Sequence, residues 1–190
     1  MKIFSLKMAF IGVVSLLSLT AVAMSAAQVA SPCDAATLPA PISELLKSKF
    51  AQWRPKQVSD MEADDQQLWL KGPNAKGCPG IAIGHFESAD SLSYALLLVP
   101  QSNPSGGHKI VVFSKDATND VYTSRLLDHA ETHSYSGLVI SKAEPGKYED
   151  WEGKKSIRIK LDGLYVEWME KGAQLYYWRV GRYQKLQVSD

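Results

Sequence analysis

The chain of 190 residues carries 21 Lys and Arg against 20 Asp and Glu. Setting aside Lys2 and Lys7 leaves a balance of −1, which removes the electrostatic case for nucleic acid or an anionic membrane surface as partner. Residues 28–190 have the size of one domain, long enough to bury ~70% of the surface the unfolded chain exposes.

Residues 1–27 read differently from the rest. Lys2 and Lys7 form a basic start, Met8–Leu19 is almost unbroken apolar text, and small residues follow in "AVAMSAAQVA". That order predicts a secretory signal peptide with cleavage after Ala23 or Ala27. The apolar run falls short of the ~20 residues a membrane span needs. No second such run follows, so the mature chain is expected to be periplasmic or secreted, with no span. Pro32 directly before Cys33 does not fit a lipoprotein cleavage box. Export places Cys33 and Cys78 in an oxidising compartment, which predicts a disulfide between them. The closed loop is worth roughly 4 kcal/mol in the chain-entropy model. A catalytic thiol, the competing reading, lacks a nearby His.

"PISELLKSKFAQW" (41–53) reads as a helix, with Ile42, Leu45, Leu46, Phe50 and Trp53 on one stripe, Pro41 in the first turn and Pro55 as the stop. From residue 68 the text breaks into short β-type runs: "LWLK" (68–71), "GIAIGHF" (80–86), "YALLLV" (94–99), "KIVVFS" (109–114) and "VYTSRLL" (121–127). Beyond them come "GLVIS" (137–141), "SIRIKL" (156–161), "LYVEWM" (164–169), "LYYWRV" (175–180) and "RYQKLQV" (182–188). Turn-rich breaks at 103–107, 115–120 and 143–147 separate them. The expected class is therefore α+β: mainly an antiparallel β meander or sandwich with one N-terminal helix packed on the sheet.

Three turns have sequence support. Asp162-Gly163 is a favoured type I′ pair and predicts a hairpin opposing Leu161 with Leu164, Ile159 with Val166 and Ile157 with Trp168. Lys171-Gly172 and Val180-Gly181 predict two further turns. The last one sets Trp178 opposite Tyr183.

"GIAIGHFESADSLSYALLLV" (80–99) resembles the FG-GAP/VCBS type of repeat, in which a calcium loop joins two strands; Gly84, Phe86 and Tyr94-Ala95 carry the frame. The resemblance implies metal-ligating oxygens at alternating loop positions, here His85, Glu87, Ala89, Ser91 and Ser93. Calcium takes six to eight oxygens, and of these five residues only Glu87 has a carboxylate. The expectation is a strand–loop–strand unit without a metal, His85 and Glu87 being the residual candidates. The order "FAQWRPKQVSDMEADDQQLW", "CPGIAIGHF" and a Tyr/Trp-rich end also resembles small exported bacterial proteins, a likeness that implies no activity.

Other chemistry is sparse. His129 and His133 in "HAETH" would share a helical face, but the zinc-protease pattern needs Glu where Ala130 stands, and the flanks read as a strand end and a loop. Acidic groups at Asp60, Glu62, Asp64 and Asp65, and at Glu149, Asp150 and Glu152, read as solvated turns, with Asp60 and Asp64–Asp65 bracketing the entry to "LWLK" as a strand. No serine sits in a G-x-S-x-G elbow and no phosphate-binding glycine motif occurs. No cofactor is expected.

Aromatic residues are concentrated in the last forty or so positions. Strand alternation puts Tyr176, Trp178 and Tyr183 on one face and Leu175 and Tyr177 on the other. Either both faces are covered, by the helix and by the 100–120 segment, or one set is exposed beside Arg179 and Arg182. Exposed, these residues form a binding surface. The reading is a non-enzymatic exported binding protein, an inhibitor or immunity protein acting on a toxin or cell-wall hydrolase. The alternatives are a carbohydrate or peptidoglycan module using the same rings, and an enzyme of unrecognised type using His129 and His133.

Overall fold

The computed structural model describes Cys33, residues 38–115 and residues 121–190; the expected signal peptide lies outside the described residues. Cys33 and Cys78 form the expected disulfide, both buried.

Helix α1 (Ala40–Lys49) stops earlier than its apolar stripe. Phe50 ends it, and Trp53 belongs instead to a short strand, β1 (Trp53–Pro55), which pairs with Leu98–Pro100. A one-turn 3₁₀ segment (Val58–Asp60) leads to a second helix, α2 (Ala63–Lys71). "LWLK", expected as a strand, is the C-terminal half of α2, and the acidic groups before it do not bracket a strand. Asp64 and Asp65 occupy the first turn, where carboxylates meet the positive end of the helix. Asp65 and Trp69, four apart, make its buried face, a helical spacing that the strand reading overlooked.

The other β runs fall close to where the alternation places them, and one further strand, Gly146–Glu149, lies where a turn-rich break was expected at 143–147. β2 (Ile81–Gly84), β3 (Ser93–Pro100), β4 (His108–Lys115) and β5 (Tyr122–Ala130) join β1 in one antiparallel sheet. β1 and β2 lie end to end along one side of β3, and β5 is the outer strand on the far side. The second sheet runs β6 (Leu138–Ala143), β9 (Gly163–Trp168), β10 (Gly172–Arg179), β11 (Arg182–Ser189), with β11 outermost. A separate hairpin of β7 (Gly146–Glu149) and β8 (Ser156–Ile159) lies on its outer face.

The architecture is layered. Ala95, Leu97, Ile110 and Val112 meet Leu138, Ile140, Leu164, Val166 and Tyr176 between the sheets. The alternate residues Leu96, Leu98, Val111 and Phe113 pack under Ile42 and Leu46 of α1. β3 and β4 therefore bury both faces, which is why their sequence is continuously apolar. Ile157, Ile159, Leu175, Tyr177 and Leu186 form a third cluster beneath the outer hairpin. The covers differ from those expected for the aromatic tail: the first sheet and the β7–β8 hairpin enclose it, while α1 covers the opposite face of the first sheet.

The hairpin expected at Asp162-Gly163 does not form. β8 pairs with β7, and β9 pairs with β6 and β10. Gly163 has no positive φ, as a type I′ turn requires, and a Cβ there would fall 2.6 Å from Leu175 Cδ1. The glycine admits close packing where the chain crosses from the outer hairpin into the second sheet.

Polar bonds join the sheets along the flank where β1 and β2 face β6. The Ile140 amide donates to Pro79 O at 2.9 Å. Lys56, 2% exposed, donates its amide to Leu97 O of the first sheet and its ammonium to Leu138 O of the second, both at 2.9 Å. Gly80 passes so near that a Cβ there would lie 2.4 Å from Lys56 O.

Candidate functional site

Val180 and Gly181, at φ 50° and 73°, turn β10 into β11 as expected. The register sets Trp178 opposite Tyr183, their rings 5.0 Å apart and edge to face. Tyr176, Trp178, Tyr183 and Lys185 follow on the inner face by strand alternation. Across from them, β5 brings Arg125 and Asp128. Because β5 and β11 are the outermost strands of their sheets, the sandwich is open between them. The result is a cleft of about 740 Å³ lined by Arg125, Asp128, Trp178, Arg182, Tyr183 and Lys185 among others.

Charge in this cleft is ordered. Arg125 Nε donates to both carboxylate oxygens of Glu87, at 3.1 and 3.2 Å, and its guanidinium carbon lies 5.1 Å from the Trp178 ring centre. Glu87 comes from the loop between β2 and β3 and is only 11% exposed. The Tyr183 hydroxyl is buried beside Glu87 without a bond of hydrogen-bonding geometry; burial first, then this carboxylate, push its pKa far up. Tyr176 OH donates to Asp128 Oδ2 and Gln174 Oε1, each at 3.3 Å. Burial and Asp128 hold its proton in the same way. Asp128 Oδ1 accepts the His129 amide at 2.8 Å. Among the described residues, Arg182 and Lys185 make no ion pair, and the Arg125 Nη groups make no hydrogen bond.

The residues singled out from sequence divide accordingly. Tyr176 is part of the core at 5% exposure and also lines the cleft, where its hydroxyl meets Asp128. Trp178 and Tyr183 are half-buried in the cleft wall, so the rings form the side of a groove and no open platform. Arg182 lines the cleft, whereas Arg179 lines a separate hollow of about 670 Å³ with the β8 segment. Glu87, weighed as a calcium ligand, is an arginine partner. His85 donates its amide to Asp162 Oδ2 at 2.7 Å, and its ring Nδ1 lies 3.2 Å from Ser91 O. The 84–93 loop is thus anchored by Asp162 at one end and by Arg125 further along. His129 stands on β5 and His133 in the loop after it, beside Thr132. Among the described residues no three His, Cys, Asp or Glu side chains are placed to hold a metal ion.

Three residues escaped the sequence reading. Arg125 and Lys185 lie in ordinary strand text, and nothing local distinguishes them from solvated charges. Lys56 Nζ is enclosed by the carbonyls of Tyr135, Ser136 and Leu138, and burial pulls its pKa down to about 8 against the opposing charges of Asp60 and Asp65. Only its position just after Pro55, at a strand end, hinted at burial. Comparison with known protein families, with curated proteins and with solved structures finds no match.

Proposed function

We propose that the chain is an exported, non-enzymatic binding protein that captures another protein through the cleft between β5 and the β10–β11 hairpin. The mode is that of an inhibitor or immunity protein acting on a toxin or cell-wall hydrolase. The observation that carries the reading is the cleft itself: half-buried Trp178 and Tyr183 in its wall, with Arg182 and Lys185, which make no ion pair among the described residues, lining it. Half-buried aromatic and Arg groups in a concave site are the residue types that dominate protein-binding energetics. The buried disulfide supports export, since such bonds persist in oxidising compartments. No helix among the described residues is long and apolar enough to cross a membrane. Carbohydrate is less favoured, because the Arg125 guanidinium already lies over the Trp178 ring on which a sugar would stack.

Reversing two exposed charges tests the proposal. Arg182→Glu with Lys185→Glu is expected to leave the melting temperature within about 2 °C, as surface changes do. The immobilised double variant is expected to lose the proteins that the wild type retains from an extracytoplasmic extract. Retention of the same proteins by the variant would overturn the assignment. So would co-sedimentation of the wild type with purified cell-wall polymer without any protein retained.

A further inference from the structure

Arg125 has the features of a built receptor. A guanidinium offers five N–H donors in a flat fork, and here Glu87 uses only Nε–H. Both Nη groups remain free of hydrogen bonds among the described residues, on a side chain 48% exposed and facing the cleft. Two neighbours hold the fork: the carboxylate of Glu87 at its root and the Trp178 ring, whose centre lies 5.1 Å from the guanidinium carbon. Glu87 is itself 11% exposed and sits on the loop anchored through His85 to Asp162, so the support is itself tied to the fold. An arginine merely solvated at a surface needs no such scaffold. Arg182 and Lys185, without ion pairs among the described residues, add two positive charges to the same cleft, against one lining carboxylate, Asp128, already engaged by Tyr176 OH and the His129 amide.

We propose that the cleft recognises carboxylates, with Arg125 as the residue that binds them, Glu87 and Trp178 as its positioning residues, and Arg182 and Lys185 receiving a second acid. The occupant is an acidic segment of a protein partner, presenting at least two Asp or Glu side chains. The inference rests on the proposed protein-binding role of the cleft. A planar fork and a carboxylate match in two parallel N–H···O bonds, and a fork held in place beforehand loses less entropy on binding.

A blocked hexaglutamate peptide serves as the probe, with hexaglutamine as its neutral control, at low ionic strength. Binding is expected to move the Arg125 Nε–H resonance, which Glu87 makes observable, in a saturable way; hexaglutamine is expected to leave it in place. Arg125→Lys, which keeps the charge and loses the fork, is expected to weaken hexaglutamate about tenfold. Lys76→Ala removes one positive charge from the loop between α2 and β2 and is expected to change nothing. Glu87→Gln separates positioning from net charge. It makes the cleft more positive by one, so a purely electrostatic site would bind the peptide more tightly, whereas a lost scaffold weakens it about threefold or more. Tighter binding by Glu87→Gln, or no shift of the Arg125 signal with the wild type, would overturn the inference. Hexagalacturonate, equal in charge, binding tenfold more tightly than the peptide would overturn the protein source. If Arg125→Lys fails to fold, the Nε–H shift and Glu87→Gln still decide. Capture of partner proteins that survives Arg125→Lys, with hexaglutamate silent, would leave the cleft a protein-binding site and remove only its preference for acids.

Discussion

His108, the first residue of β4, has both ring nitrogens buried, and among the described residues neither has a partner at good hydrogen-bonding geometry. Burial disfavours the imidazolium, and the charge of Lys56 and the His129 ring act in the same direction. Asp128 and the His133 backbone oppose them, and the net effect lowers the pKa below 6.5. Between the folded value and 6.5 the unfolded chain binds more protons than the folded one. The stabilising contribution is therefore complete above about pH 6.5 and is lost as pH falls through the folded value. The melting temperature is expected to drop between about pH 7 and pH 5, and His108→Gln is expected to flatten that slope. An equal slope in the variant would place the acid sensitivity elsewhere. Nothing in "SGGHKI" betrays this residue, because a histidine after two glycines reads as loop. Its burial follows from pairing with Ala130 on a strand that the sequence placed only approximately.

At the scale of elements, two turns with opposite sequence credentials had opposite fates. Asp162-Gly163 has the favoured type I′ composition and forms no hairpin. Val180-Gly181 pairs a β-branched residue with a glycine and makes one, with Val180 held at φ 50° and 88% exposed. The left-handed region is costly for valine and well tolerated by asparagine. Val180→Asn is therefore expected to raise stability by about 1 kcal/mol, read as a shift in urea midpoint at constant slope. An unchanged midpoint would mean that the strain is absent. What decided between the turns lay outside them. Trp178 with Tyr183 and Leu175 with Leu186 pair only across the second turn, whereas Ile157 and Ile159 keep the same buried face whether β8 pairs with β9 or with β7. Alternation of period two records which face a side chain takes, so faces were legible throughout. It does not record which strand lies alongside. The same limit hid α2: Asp65 and Trp69 spell a helical face too short to outweigh the β-like look of "LWLK".

Across the whole molecule, the legible features were those written locally: strand positions, the cysteine pair and the facing of Tyr176, Trp178 and Tyr183. The cleft was not among them. It requires that β5 and β11, separated by some fifty residues in sequence, be the outer strands of two facing sheets. Only then do Arg125, Glu87 and Lys185 converge with rings that the sequence had already singled out. The Cys33–Cys78 bond acts at this scale too, closing a separation of 45 residues across α1, β1 and α2. Replacing both cysteines by alanine is expected to lower unfolding stability by roughly 3–4 kcal/mol in a denaturant titration. A loss below about 1 kcal/mol would show that the packed layers hold these segments without it.

The bonds from Lys56 and Pro79 to β6 stitch the sandwich along one edge, as a spine holds the leaves of a book. At the far margin, where β5 and β11 lie, the links between the sheets among the described residues are the Tyr176–Asp128 hydrogen bond and the Arg125 guanidinium over Trp178. A rotation about that spine would displace the leaves least near it and most at the margin. An acidic segment held in the proposed cleft would therefore sit where such a rotation displaces the two sheets most.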